Sequence, residues 1–452
     1  MCQKSIENIK NKNHRKITIG DIILIVIFCI SSFASAIFSS SLCSMFAISI
    51  ALYILVIKPN IFLACFIGIT AFPFFFIIHL GSFSDAFNRL LTIMLLLYSL
   101  IVFLKTKKSK TNNSIHVCTY LLIIFNISSL FYNYTNAIVM LNTWILNLIL
   151  FYLLSKTIKE EYDLSKVFNA LSIFTITIIP LIFYRIITNP FIANTYNQRV
   201  SLSEDLNNNR LGMAIALYGC ILIINVSIRK GIWKKLIILI MVFISVYMII
   251  LTGSRTSFIA CSLVCILVSI KKNTKKNSIL KNVFFLLIII SSILIIFNFL
   301  SSSKVISRFS ISSVIETRGS FRLDSWKPLL FQIFPKHFLL GIGVGASQSS
   351  LIEYGYFGYQ PAHNIIISSF VELGILGFIP FITIVLISIE NINTFSKQIS
   401  WGFSYKYMLY LVLLLGIGEN IYTERILWVI MAICIQINEQ YTIPNGKDVV
   451  IK

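Results

Sequence analysis

KKLIILIMVFISVYMIILTGSRTSFIACSLVCILVSIKKNTKK, residues 234–276, decides the fold. Two apolar runs, 236–252 and 256–270, carry lysines at their far ends and share the polar turn TGSRTS between them. Each run is near the length of a bilayer crossing, which takes about 17 to 25 helical residues. Neither alternates polar and apolar residues as a barrel strand would. A spanning backbone must satisfy its own hydrogen bonds, so the pair reads as two helices joined by a turn. Lysine-rich ends are retained on the cytoplasmic side, which places TGSRTS on the opposite face.

The same pattern extends in both directions. The chain has 452 residues, 57% hydrophobic and 12% charged, with mean hydropathy +0.86, whereas a soluble domain carries about 25% charged residues. A soluble fold is excluded. Fourteen apolar segments are legible, at roughly 19–38, 42–57, 60–80, 89–104, 115–134, 137–155, 167–188, 211–228, 236–252, 256–270, 283–300, 364–390, 406–420 and 424–438. The last two are short enough to form a re-entrant hairpin. The expected fold is therefore all-α, a polytopic transmembrane bundle of about 12–14 helices with one large extracytoplasmic loop. Residues 1–18 and 439–452 form cytoplasmic tails, and 19–438 form one membrane domain that includes outer loops 188–210 and 301–362. The first run lacks a small-residue cleavage pattern behind it and reads as a retained helix.

The net charge of +21 follows the topology. Most of the 38 Lys and Arg fall in short loops on the cytoplasmic side, such as KTKKSK at 105–110 and KKNTKK at 271–276. There they orient helices and meet anionic lipid, which argues against nucleic acid as a partner. The cations assigned to the outer face differ in kind. They are mainly arginines, at 89, 185, 199, 210, 255, 308, 318, 322 and 425, whereas the inner set has only Arg15 and Arg229. Topology needs charge alone, but a guanidinium also grips phosphate or carboxylate with a planar fork, so the outer face reads as an anion-binding surface. The alternative is pairing with outer acids such as Glu204, Asp205, Glu316 and Asp324. The nine cysteines form no CxxC or Cys/His pair, and none lies in the long outer loop. Neither a disulfide framework nor a metal site is expected.

Three outer constellations carry chemistry. In TGSRTS, Thr252 or Ser254 is a natural N-cap that puts Arg255 in the first turn of a helix, where a guanidinium and unpaired N–H groups suit a phosphate. The bland alternative is an arginine snorkelling to the interface. In RGSFRLDSWKPLLFQIFPKHFLLGIGVG, residues 318–345, Arg318, Arg322 and Trp326 share an amphipathic element, with helical apolar spacing over 322–334, that lies on the membrane surface or caps a cavity. GIGVG reads as a flexible turn, since it lacks the strand and helix flanks of a dinucleotide loop. In PAHNIIISSFVELGILGF, 361–378, His363 and Asn364 open a helix, and the positive end of the helix dipole disfavours an imidazolium there. A neutral imidazole is what a general base requires. Glu372 lies nine residues further on, on the opposite helix face, and cannot partner His363 directly.

These constellations, in this order, resemble the bacterial family of O-antigen polymerases and ligases. The resemblance rests on TGSR at 252–255, on Arg322 and Trp326 followed by GIGVG, and on the His363–Asn364 pair with nine residues before Gly374-Ile-Leu-Gly377. It covers about residues 190–390. It implies a C-type glycosyltransferase-like fold acting on undecaprenyl-pyrophosphate-linked glycans without cofactor or metal. It further implies that Arg255 and Arg322 grip the donor pyrophosphate and that His363 deprotonates the acceptor hydroxyl. Arg199, Arg210, Arg318, Trp326 and Asn364 would contribute to substrate binding; the proline expected before Asn208 or Asn209 is absent. The implied activity is a polymerase in the bacterial inner membrane, with both termini cytoplasmic and membrane lipid and a chain-length regulator as partners. Alternatives are a ligase that uses lipid A core as acceptor, and a lipid-linked oligosaccharide transporter. A transporter would bury charges near the midplane, whereas this chain gathers its arginines and histidine at one face.

Overall fold

A computed structural model describes residues 17–38, 41–71, 83–105, 113–127, 135–188, 191–194, 199–201, 207–228, 232–271, 309, 315, 322–398 and 402–441. Arg318, Arg308 and the apolar segment at 283–300 lie outside these residues. Among the described residues the chain is built from helices and one short hairpin. The helices are α1 Ile19–Phe38, α2 Ser41–Ile57, α3 Pro59–Thr70, α4 Phe83–Lys105, α5 Asn113–Ile127, α6 Thr135–Glu161 and α7 Leu164–Thr188, followed by strands β1 Phe191–Asn194 and β2 Arg199–Ser201. Then come α8 Asn208–Ile228, α9 Ile232–Thr252, α10 Arg255–Lys271, α11 Arg322–Pro328, α12 Ser347–Glu353, α13 Ile365–Gln398, α14 Gly402–Gly416 and α15 Arg425–Tyr441. Within the outer segment 188–210, the antiparallel β1 and β2 pair Phe191 with Ser201 and Ile192 with Val200.

Five helical stretches meet both the length and the hydropathy of a bilayer crossing: 141–158, 164–188, 208–227, 235–252 and 365–396. The protein is thus an all-α, multi-pass membrane protein. Its helices divide by what surrounds them. In the crossing stretch of α8, 83% of residues are buried, against 39% in α9. Accordingly α8 is apolar on all sides and sits among α7, α9, α10 and α14, while α9 turns Leu236, Ile237, Ile240 and Phe243 to the exterior. Such exposed side chains suit lipid rather than water. Small residues let the interior close. A Cβ on Gly68 of α3 would come within 2.5 Å of the Phe174 ring of α7, and the Tyr218 hydroxyl of α8 donates to the Gly68 carbonyl at 2.7 Å.

Two of the lysines have a more specific task than meeting lipid. Lys58, before α3, and Lys166, in the first turn of α7, converge on the buried Asp21 of α1, the latter at 3.6 Å. A buried carboxylate needs such partners, and the three together tie these helices at one end. The closing pair α14 and α15 is joined by residues 417–424, which the packing anchors firmly. Trp144 of α6 meets Trp428 and Tyr422 edge to face at 5.0 and 4.9 Å. Trp428 Nε1–H donates to the Tyr422 carbonyl at 2.7 Å, and Asn147 Nδ2–H to that of Thr423 at 2.6 Å. The connection is thus a segment built into the core.

Candidate active site

The turn between α9 and α10 is organised by its own hydroxyls. Thr252 Oγ1–H donates back to the Ile249 carbonyl at 2.7 Å, and Gly253 reverses the chain at φ +62°. Ser254 takes the N-cap position: its carbonyl accepts from Phe258 N–H at 3.1 Å, and its hydroxyl meets that of Ser257 at 2.8 Å. Arg255 is therefore the first residue of α10, where the dipole favours an anion. The start of α8 is pressed against this turn, because a Cβ on Gly212 would lie 2.6 Å from Ser254 Cβ. That packing brings Asn209 and Arg210 alongside.

At the start of α13, Asn364 is the N-cap. Its Oδ1 accepts from the N–H groups of Ile366 and Ile367 at 2.9 and 3.0 Å, while its Nδ2–H donates to the Ile417 carbonyl at 3.1 Å. His363 precedes the cap rather than opening the helix. It has φ +44°, the one positive value outside glycine among the described residues. A left-handed histidine costs about 1–3 kcal/mol and is held only where its surroundings over-determine it. What holds it is Glu419. His363 Nδ1 lies 2.9 Å from Glu419 Oε2, while Glu419 Oε1 accepts from Asn209 Nδ2–H at 3.0 Å and lies 3.8 Å from Arg322 Nη2. Gly418 rests on the first turn of α10, where a Cβ would overlap Thr256. Arg322 is near enough to Arg255 for its charge to be felt there.

Glu419 is 4% exposed yet holds its charge. Burial pushes its carboxyl up, but the hydrogen bond and charge of His363, the charge of Arg322 and the Asn209 amide outweigh this, and it lies below the ordinary value. Burial lowers the Arg322 guanidinium, and the Glu419 charge opposes that shift. An ionised carboxylate only accepts, so the Nδ1 that faces Glu419 carries a proton. In the neutral ring, Nε2 is then the basic nitrogen.

The site thus gathers Arg255, Arg322 and His363 from three separate sequence constellations. The remaining candidates are placed less centrally. Asn364 is engaged as a cap. Trp326 Nε1–H donates to the Ala362 carbonyl at 2.6 Å, which fixes α11 against the residue preceding His363. Arg210 pairs with Glu424 at 3.3 Å on a more exposed rim. Arg199 belongs to β2, and its side chain, like all of Arg318, lies outside the described residues. Glu419 is the residue that sequence reasoning missed. Its signal was the first of two acids, Glu419 and Glu424, in GIGENIYTER, 416–425, between two apolar segments.

Two expectations for the preceding loop need correction. The amphipathic stretch 322–334 is helical as expected but not one regular α-helix: α-helical to Pro328, it widens into a π turn over Leu329–Ile333 and tightens over Phe334–His337. Leu329, Ile333 and Phe334 are buried, but Leu323 is exposed. GIGVG is not a flexible turn. α13 breaks at Gly374, with φ 63° and ψ −179°, and 338–343 fills the break. Ile342 and Gly343 N–H donate to the carbonyls of Val371 and Glu372 at 3.1 and 3.0 Å. Ile375 and Leu376 N–H donate to those of Phe338 and Leu339 at 2.9 and 3.2 Å. The Glu372 carboxylate accepts from Gly345 N–H at 2.5 Å and from the hydroxyls of Ser347 and Tyr422. Tyr422 sits three residues from Glu419, so one buried acid locks the glycine turn to the segment that holds the histidine.

Chemically, two guanidiniums beside a helix N-terminus can hold a diphosphate, and an acid-held imidazole next to them can take a proton. Among the described residues no group of three or more His, Cys, Asp or Glu side chains is placed to hold a metal ion. No curated relative matches the chain. Residues 240–382 match a family model described as O-antigen ligase. The match includes Arg255, Arg322, His363 and Glu372 and ends before Glu419. Over those residues this multi-pass membrane protein is similar to the O-antigen ligase family.

Proposed function

We propose that the chain is a metal-independent glycosyltransferase of the bacterial inner membrane, with both termini cytoplasmic and its site on the opposite face. It joins undecaprenyl-pyrophosphate-linked oligosaccharide repeat units into polymer. The observation that carries the proposal is the convergence of Arg255, Arg322 and a Glu419-held His363 at one place. Arg255 and Arg322 bind the donor diphosphate. Nε2 of His363 takes the proton of an acceptor hydroxyl, whose oxygen forms the new bond to the anomeric carbon. The bond from that carbon to the phosphate oxygen breaks, and the lipid diphosphate leaves with the electron pair. Its developing charge needs stabilisation more than it needs an acid, which suits groups that stay protonated.

Activity and substrate retention, measured on membranes with equal protein levels, test the roles. Arg255→Lys and Arg322→Lys keep the charge but lose the fork and should each lose on the order of 100-fold. His363→Ala should lose about 100- to 10,000-fold while retaining lipid-linked donor. Near wild-type turnover in His363→Ala, or in both lysine variants, refutes the scheme. A second reading, transfer of finished glycan to lipid A core, is favoured by the description of the matching family as a ligase. The glycan pattern of a deletion strain separates the two. A single repeat on the core marks a lost polymerase, and polymer left on the carrier marks a lost ligase.

A further inference from the structure

The apolar exterior carries a groove that the active site does not use. It encloses about 350 Å³ between α4, α5 and α6, with Leu96 and Leu100, Thr119 and Ile123, and Ile149 and Leu153 as facing pairs of wall residues. Each pair is four residues apart, so the slot follows one turn of each helix, about 6 Å along the axis. It opens outward past the exposed Leu97.

One end of the slot is polar. Tyr152, also in the wall, accepts a hydrogen bond from the Tyr120 hydroxyl at 3.2 Å and lies beneath Lys156 Nζ, 5.9 Å from its ring centre. Phe103 of α4 meets the same ring at 6.4 Å. Helix α6 shows which way this end points. Its Asn147 touches the segment that carries Glu419, and Lys156 lies nine residues further on, about 13 Å along the axis. The lysine end is therefore directed away from the catalytic cluster.

We infer that this groove binds one acyl chain of an anionic phospholipid whose phosphate rests at Lys156. A wall almost without polar atoms suits hydrocarbon, and lysines at a membrane surface attract anionic lipid. The prenyl chain of a diphosphate donor does not fit this direction, because its phosphates must reach Arg255 and Arg322 at the other end.

Native mass spectrometry of the full-length protein in detergent tests the site, with phosphatidylglycerol and phosphatidylcholine of identical chains as probes. The anionic lipid should be retained preferentially. Lys156→Gln should weaken its retention about fivefold, in line with the attraction of one surface cation, and leave phosphatidylcholine unchanged. Leu100→Trp, which fills the slot from a partly exposed position, should reduce both lipids. Equal retention of the two lipids, or retention of phosphatidylglycerol indifferent to Lys156→Gln, overturns the inference. So does displacement of phosphatidylglycerol by undecaprenyl phosphate at a lower concentration than phosphatidylglycerol itself requires. Lys156→Gln alters only one side chain at the rim, so it decides the matter even if Leu100→Trp does not fold.

Discussion

Replacing Glu419 with Gln keeps the volume of the side chain but removes its charge from the centre of the site. The carboxylate now serves three donors, His363 and Asn209 by hydrogen bonds of 2.9 and 3.0 Å and Arg322 across 3.8 Å. An amide has only one oxygen for them, so its NH2 must point at a former donor. If it faces His363, the ring has to accept at Nδ1, the proton moves to Nε2, and the basic nitrogen is lost. If it faces Asn209 and Arg322, the histidine keeps a weaker, uncharged acceptor. A hydrogen bond to a charged group contributes about 1.5–3 kcal/mol net, and each 1.36 kcal/mol on a barrier is tenfold in rate. Glu419→Gln should therefore lose about 10- to 100-fold in turnover while retaining the lipid-linked donor. The assay is turnover of lipid-linked substrate on membranes normalised for protein, read beside His363→Ala. A fully active Glu419→Gln next to an inactive His363→Ala would refute the positioning role. The pH dependence has a definite sign. Because the folded carboxyl lies below its ordinary value of 4.5, its contribution to stability is complete above that value and is lost as pH falls through the lower one. The stability gap between wild type and Glu419→Gln should close as the solution is made more acid than that value.

The break in α13 makes a second prediction. Gly341 has φ +73°, and a Cβ there would overlap the backbone of Glu372 and Gly374, whereas Gly355 has φ +84° and open space around it. Thermal unfolding should show Gly355→Ala losing about 1–2 kcal/mol, the cost of a left-handed residue, and Gly341→Ala losing clearly more; equal losses would refute the packed turn. For topology, a reporter fused after Lys276 should be cytoplasmic and one near Gly345 extracytoplasmic. Finding Gly345 inside inverts the proposed active face. Activity of the purified protein should survive strong chelation; abolition by EDTA with rescue by a divalent ion would assign Asp324 or Glu316 a metal-binding task.

The membrane architecture was legible because it follows from local chemistry. Runs such as 236–252 are long, apolar and lysine-bounded, and a bilayer leaves them no option but helix. TGSR at 252–255 and the polar pair at 363–364 were legible for the same reason, since caps are written in a few adjacent residues. The helical wheel also correctly separated Glu372 from His363. What Glu372 does bind was not legible, because its partners at Gly345, Ser347 and Tyr422 are far away in sequence and meet it only where α13 breaks. GIGVG looked flexible because glycine permits many conformations. Packing against that break selects one.

The sequence alone therefore determined that this is a membrane helix bundle with arginines and a histidine at helix ends, since length, hydropathy and capping act over a few residues. Only the tertiary structure decided which ends meet. It placed Glu419 between His363 and Arg322 because Gly418 fits against Thr256 and Trp144 clamps Tyr422. Such contacts depend on shape across the whole bundle, and no local pattern of residues encodes them.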